Sequence, residues 1–316
     1  MFQLKCKITI KGTKTWIFER IAGCEISLDS ETLTDTCTIR LPKKITWANE
    51  AGVPLKRGDA VSVELGYDEE LKTRFLGYIR TVGTKIPVEI NCEDSMWMLK
   101  KTAVKKLSYT SVTIDKLLKD ILPPEVDYKV FGEQNIGQYR ITVNTVAEVL
   151  DNLKENGIRS FFKLTDGKPI LYCGLFFPAL NGKKTFFKSG LNVIENNTEF
   201  RRAEDIKLKV KATSLRSDNK RTEVTVGDDD GEVRSIFKCN VDKKELESWA
   251  KQELEVLKSD GLTGSIKTFG VPEVDKGDHI YVEADESPKG LYSVKKVEIE
   301  FGENGYRQTI ELDRKL

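Results

Sequence analysis

Lys56-Arg57-Gly58-Asp59-Ala60-Val61-Ser62-Val63-Glu64 and Asp275-Lys276-Gly277-Asp278-His279-Ile280-Tyr281-Val282-Glu283 are one phrase written twice. Gly, Asp, Val and Glu recur at matching positions. A basic residue precedes each glycine, and an aliphatic residue stands two places after each aspartate. Gly-Asp is turn chemistry, and the alternation that follows it is the period of a half-buried strand. Each copy has a proline shortly upstream, Pro54 and Pro272. Each precedes a tyrosine-bearing strand, 77–82 and 291–297. The spacing is far beyond a solenoid period of about 20–50 residues. The pattern therefore predicts two related β units separated by an insertion.

The flanking sequence agrees. Cys37, Ile39 and Leu41 alternate with Thr36, Thr38 and Arg40. Further strands are expected at 8–10, 16–18, 25–28, 60–65, 74–81 and 88–92, the spacing of a barrel or sandwich. After residue 104 the period changes. Ile114, Leu117, Leu118 and Ile121 predict a helix over 113–122, stopped by Pro123-Pro124. Thr145 and Glu148 form a capping box for a second helix over 145–156, with Gly157 just past its end. Strands at 159–164 and 169–172 flank the hairpin signal Asp166-Gly167. Strands return at 206–212 and 221–226. A helix over 242–259 can be capped by Asp242, with Glu245 at the box position. Strands follow at 265–269, 279–283, 291–300 and 306–312. The fold class is mainly β, α+β overall. The expected domains are a first β-barrel over 1–104, an α+β middle region over 105–200, and a second β-barrel over 201–316 containing helix 242–259.

The 316 residues suggest about two domains. Charged residues make up 32%, but 51 basic and 50 acidic side chains nearly cancel, so a dedicated nucleic-acid binder, which needs a basic excess, is not indicated. His279 is the single histidine, which excludes His-pair metal sites and leaves one imidazole for any nucleophilic triad. Cys6, Cys24, Cys37, Cys92, Cys173 and Cys239 contain no C-x-x-C pair and read as reduced, mostly buried thiols of a protein made in the cytoplasm. No signal peptide and no apolar run of about 20 residues is present, so no membrane span is expected.

Several residues could carry chemistry. Asp228-Asp229-Asp230-Gly231 could hold calcium, but it lacks EF-hand spacing and suits a solvated hairpin tip better. Glu93-Asp94 could be an acid pair, but neighbours on a strand point to opposite faces. Glu125, Asp127 and Glu133 are ordinary loop charges. His279 could be a base, yet it stands where the other copy has Ala60, which favours a structural role. Trp16, Phe18, Trp47, Tyr67, Phe75, Tyr78 and Trp97 could stack single-stranded bases beside Lys100-Lys101, Lys105-Lys106 and Arg201-Arg202. Aromatics favour strands generally, and most should be core. Phe161-Phe162 and Phe176-Phe177 place adjacent rings on both faces of a strand, which means two-sided burial or a partner surface. No G-x-S-x-G, H-E-x-x-H or P-loop occurs. No catalytic, cofactor-binding or metal residues are therefore assigned, no cofactor is expected, and the chain is read as a non-enzyme.

In order along the chain, 24–42, Arg57-Gly58-Asp59 with Phe75-Leu76-Gly77-Tyr78-Ile79, the helix and strand of 145–164, and the run from Glu245 through Gly270-Val271-Pro272 and Lys276-Gly277-Asp278 to Glu283 resemble the baseplate hub proteins of contractile phage tails, the late control protein D-like family. Related hubs serve type VI secretion and other contractile injection systems. The resemblance implies a homotrimer whose six barrels mimic sixfold symmetry in a ring between tail tube and central spike. It implies tail tube protein, spike protein and other baseplate proteins as partners, with nucleic acid only as passing cargo. It implies assembly in the bacterial host cytoplasm and a place in the virion tail baseplate of a phage or prophage. Ending at Leu316 just after the second barrel, the chain is expected to lack a fused spike and to use a separate one. The alternative reading is an OB-like binding module for single-stranded nucleic acid or surface glycan.

Overall fold

The computed structural model describes residues 3–42, 47, 53–68, 70–83, 85–132, 134–175, 185–216, 220–283 and 289–316. In chain order the first β unit contains β1 (Leu4–Lys11), β2 (Thr15–Phe18), β3 (Gly23–Asp29), β4 (Thr36–Arg40), β5 (Ala60–Tyr67), β6 (Glu70–Val82) and β7 (Glu89–Glu93). Then come α1 (Met96–Leu99), β8 (Ser108–Tyr109), α2 (Ile114–Ile121), β9 (Tyr128–Phe131), β10 (Tyr139–Arg140), α3 (Val146–Lys154), β11 (Arg159–Thr165) and β12 (Lys168–Gly174). The remainder is β13 (Thr185–Lys188), β14 (Val193–Arg201), β15 (Leu208–Leu215), β16 (Arg221–Gly227), β17 (Glu232–Cys239), α4 (Lys243–Leu257), β18 (Gly261–Phe269), β19 (His279–Glu283), β20 (Gly290–Gly302) and β21 (Gly305–Lys315).

The protein is mainly β. Thirteen strands form one sheet, ordered β14-β18-β21-β20-β3-β4-β7-β6-β5-β1-β2, with β13 on β19 and β19 on β20. Two halves of this sheet repeat one order. β3-β4-β7-β6-β5 in the first is matched by β14-β18-β21-β20-β19 in the second; beyond them β1 lies antiparallel to β5 whereas β13 lies parallel to β19. They join where β3 pairs antiparallel with β20, Asp29 opposite Lys296 through Gly23 opposite Gly302. Among the described strands the path runs from β14 to β2 without closing on itself, so two closed barrels are not what is observed. One apolar core runs under both halves, from Ile8, Ile39 and Val63 to Ile266, Ile280 and Ile310. Its continuity follows from the β3–β20 ladder, which keeps the alternating apolar faces of both halves on the same side.

The region between packs a second core. α2 and α3 bury Leu117, Leu118, Val149, Leu150 and Leu153 with Phe162 and Leu171 of β11 and β12. The capping box is present: Thr145 Oγ1 accepts from the Glu148 amide at 3.3 Å, and Glu148 Oε2 accepts from the Thr145 amide at 2.8 Å. Asp166 and Gly167 take positive φ in the β11–β12 turn. A third, smaller core lies between α4 and the sheet β16-β15-β17, centred on Val210, Ala212, Leu246 and Ala250. Asp242 caps α4 by accepting from the Glu245 amide at 2.9 Å, but the Glu245 carboxylate turns to Lys238 at 3.2 Å instead of completing a box.

Candidate assembly interface

The duplicated phrase folds twice into the same hydrogen-bonded turn. In the first copy the Asp59 amide donates to the Lys56 carbonyl at 3.1 Å, and Asp59 Oδ2 accepts from the Lys56 amide at 2.8 Å. In the second, the Asp278 amide donates to Asp275 at 3.1 Å, and Asp278 Oδ2 accepts from the Asp275 amide at 2.9 Å. Gly58 and Gly277 both have positive φ, 94° and 73°, the conformation that makes glycine the fitting residue. Each glycine then donates to the following long strand, Gly58 to Ile79 and Gly277 to Val294. Ile79 and Val294 are therefore equivalent, and each is followed by a register shift in the ladder to the next strand. The two tyrosines do not coincide. Tyr78 aligns with Ser293, one residue from Tyr292, and a one-residue slip changes the face. Tyr292 is 1% exposed, whereas Tyr78 is half-buried.

The two turns differ in what covers them. Arg57 is exposed, its guanidinium 4.8 Å from the Trp97 ring centre. Its counterpart Lys276 is fully buried. The Lys276 ammonium donates to Asp35 Oδ1 at 2.5 Å and lies 4.9 Å from the Phe161 ring centre. Lys163 of β11 donates to Asp278 Oδ1 at 2.5 Å and to the Lys276 carbonyl at 2.9 Å. Arg74 of β6 donates to the Val274 carbonyl at 2.9 Å. The second turn is thus clamped by the first β unit and by the middle region together. Asp94 shares this junction and, with Asp35, Arg74, Lys163 and Asp275, lines a small cavity. Burial pushes Asp94 up to about 8, and the Asp35 charge adds to that. Burial raises Asp35 to about 6 against the pull of Lys276. The Lys163 ammonium lies against Asp278 and the Lys276 ammonium against Asp35, so each of these buried carboxyls has a buried cationic side chain beside it, as a desolvated pair requires.

The weighed residues are dispersed. Glu93 pairs with Arg80 at 3.2 Å and Lys100 at 2.7 Å, away from Asp94, so the two carboxyls do not converge. Asp228 accepts from Lys258 at 2.6 Å, Lys207 pairs with Asp230, and Lys209 donates to the Asp229 carbonyl at 2.6 Å: the triple aspartate is a lysine-braced turn. Among the described residues no cluster of His, Cys, Asp or Glu has the grouping of a metal site. His279 opens β19 opposite Ser293, as Ala60 opens β5 opposite Tyr78, and burial lowers its pKa, with Arg314 adding to the effect. Trp16 and Phe18 pack edge-on against Trp47, at 5.3 and 5.9 Å, while Phe75 and Trp97 are buried. Lys101 covers the Trp97 ring at 3.5 Å and Lys106 donates to three acceptors at 142–144, so these cations brace the chain. Phe161 and Phe162 are both buried, Phe161 stacking on Tyr172 and Phe162 entering the second core. Phe176, Phe177 and Glu133 lie outside the described residues. The six cysteines are unpaired thiols, five buried and Cys239 partly so.

Two edges are left open. β14 pairs with β18 on one side and with no described strand on the other. It is exposed along nearly its whole length, with Ile194 and Phe200 at 40% and 39%. No strand is expected there from the residues, because Glu195-Asn196-Asn197-Thr198 reads as loop. β2 ends the other side of the sheet with Ile17 exposed.

No protein-family model matches the chain, and no characterised protein matches it by sequence. Solved structures match over almost the whole length. The tail protein from Neisseria meningitidis MC58 is 14% identical, with 99% of this chain and 96% of that one aligned at a TM-score of 0.63. The 43 kDa tail protein of prophage MuSo2 from Shewanella oneidensis is 15% identical over 99% and 98%, at 0.65. An Escherichia coli component of the type VI secretion system, described as structurally similar to the bacteriophage T4 tail proteins gp27 and gp5, is 11% identical over 97% and 76%, at 0.59. The fold is therefore that of phage and prophage tail proteins and a secretion-system component, and none of these three is described as an enzyme.

Proposed function

We propose that this chain is a structural, non-enzymatic hub subunit of a phage, prophage or related contractile tail, three copies of which form a pseudo-sixfold ring joining the tail tube to a central spike. The observation that carries the reading is the repeated strand order within one chain. A threefold ring of such chains presents six alike β units, the feature needed where a sixfold tube meets a threefold spike. The fold likeness to tail proteins supports the tail setting. We take 1–104 and 201–316 as the two barrel-derived domains, the second joined by β13 and β14 from the end of the middle region, and the rest of 105–200 as the insertion. Tube, spike and other baseplate proteins are the partners of this reading, and the virion tail baseplate is its place. No helix among the described residues is long and apolar enough to cross a membrane. The dispersal of the basic and aromatic side chains favours assembly over the nucleic-acid or glycan-binding alternative.

Light scattering after size exclusion, across a wide concentration range, tests the ring. A stable three-chain species supports it, and imaging should then show a lumen. A chain that stays monomeric under all conditions, with a spike partner included, removes it.

A further inference from the structure

We propose that the ring is sealed by strand addition: the free edge of β14 in one copy pairs antiparallel with the outer end of β6 in the next, repeating between chains the β3–β20 ladder found within each chain. This rests on the ring reading and names its seam. The strand equivalences carry it. Thr81 pairs with Asn91 as Lys296 pairs with Glu311, in each case just after the register shift that follows Ile79 or Val294. Asn91 pairs with Thr38, and Glu311 with Ser265. Thr38 pairs with Glu25, and Ser265 with Asn197. Glu25 is thereby matched by Asn197, Leu28 by Phe200 and Asp29 by Arg201. Within the chain Leu28 faces Val297 and Asp29 faces Lys296. Transferred to the seam, Phe200 faces Val82 and Arg201 faces Thr81 of the neighbouring copy.

Both halves of this seam are open. Beyond Ile79, β6 pairs only with β7 among the described strands, leaving the edge that β20 gives to β3. Arg80 and Thr81 are exposed there and Val82 is half-buried. On the other side, Phe200 lies opposite the buried Leu262, so it sits on the core face of the sheet yet remains 39% exposed, while its counterpart Leu28 is 6% exposed beneath β20. A long exposed edge strand is an invitation to pair that monomeric proteins suppress. β14 and β6 are different strands, so a contact made head to tail leaves a free β14 edge at one end and a free β6 edge at the other, and a third copy joins the two when the rotation closes. Lys85 on the receiving hairpin is exposed and β14 carries Glu195 and Glu199, so the charges are of opposite sign.

The test is a double variant, Thr81→Cys with Arg201→Cys, treated with a short thiol-specific crosslinker over a range of concentrations, with each single variant as control. Directly opposite residues on antiparallel strands have Cβ atoms about 4.5–5.5 Å apart. The expected result is a denaturation-resistant ladder of two and three chains in the double variant alone. In parallel, Phe200→Glu should lose the three-chain species while keeping the unfolding midpoint, since the side chain is partly exposed in a single copy. If three chains assemble but the double variant does not crosslink and Phe200→Glu still assembles, the ring stands and this seam is wrong. If the protein is monomeric and uncrosslinked at every concentration, the seam falls and the ring loses its support.

Discussion

Lys276 and Asp35, 241 positions apart, meet at 2.5 Å in the protein interior and tie the second copy of the repeat to the β3–β4 connection of the first. The Lys276 side chain is 1% exposed and that of Asp35 6%. Removing one partner strands a buried charge, whereas replacing both removes the desolvation penalty along with the attraction. Lys276→Met or Asp35→Leu alone should each cost about 3–5 kcal/mol. The double variant should recover most of that loss. Denaturant midpoints arranged as a double-mutant cycle check this, and additive losses would refute the coupling.

Asp94 should make stability depend on pH in an unusual direction. Unfolded, its carboxyl releases a proton near 3.9. Folded, it holds the proton to about 8. Between those values the native state binds more protons than the unfolded state, so this group's contribution is complete at low pH and is lost as pH rises towards 8. Asp35 shares the slope only to about 6, and His279, its pKa lowered by burial, opposes it up to about 6.5, so Asp94 is read best between pH 7 and 8, where Asp278, also raised, acts in the same sense. The expected loss there approaches about 1.4 kcal/mol per pH unit. Asp94→Asn should flatten the profile and stabilise the protein at pH 8. Urea midpoints at pH 6, 7 and 8 for both proteins would show it. A slope that persists in Asp94→Asn assigns it elsewhere.

Much of the fold was legible because its signals are local. The Gly-Asp turns, the Thr145–Glu148 box and the Asp166-Gly167 hairpin each act within a few residues. The β3–β20 ladder was not legible, because strands so far apart in sequence carry no mark of their pairing. Nor was the match of Ile79 with Val294, since the β5–β6 and β19–β20 connections differ in length and only the ladder fixes register. β14 was not legible because an edge strand exposed along nearly its whole length lacks the alternation that reveals strands. The buried junction was half legible. Lys276 and Asp278 stood out in the repeat, but their partners Asp35 and Lys163 lie in segments where a single charge looks like any other.

Glycines in β6 and in the preceding turn should respond unequally to alanine. A Cβ on Gly77 would lie 2.1 Å from the Glu93 carbonyl oxygen and 2.8 Å from the Phe75 ring, both fixed in the sheet and core. A Cβ on Gly58 would meet nothing within 4 Å, so only its positive φ opposes substitution. Gly58→Ala should cost about 1–2 kcal/mol, the left-handed penalty. Gly77→Ala should cost clearly more, because ladder and core must both shift. Thermal midpoints of the two variants give the ranking, and equal losses would show that the β6–β7 contact yields easily.

The two helix caps make a final contrast. Thr145 and Glu148 satisfy each other's amides at the start of α3, and Glu148 Oε2 also accepts from the Asn144 amide at 2.9 Å. At α4 the Asp242 carboxylate caps alone, because Glu245 is drawn to Lys238. Thr145→Ala and Asp242→Ala should each cost about 1 kcal/mol, the usual loss of a capping oxygen. The residues at the box position should behave differently. Glu148→Ala leaves two backbone amides without their acceptor and should lower the midpoint measurably. Glu245→Ala removes only an exposed pair with Lys238, which contributes little at a surface. Its midpoint should match the parent's within error. A loss at Glu245 as large as that at Glu148 would mean that α4 completes its box in solution, with the Lys238 contact a minor alternative.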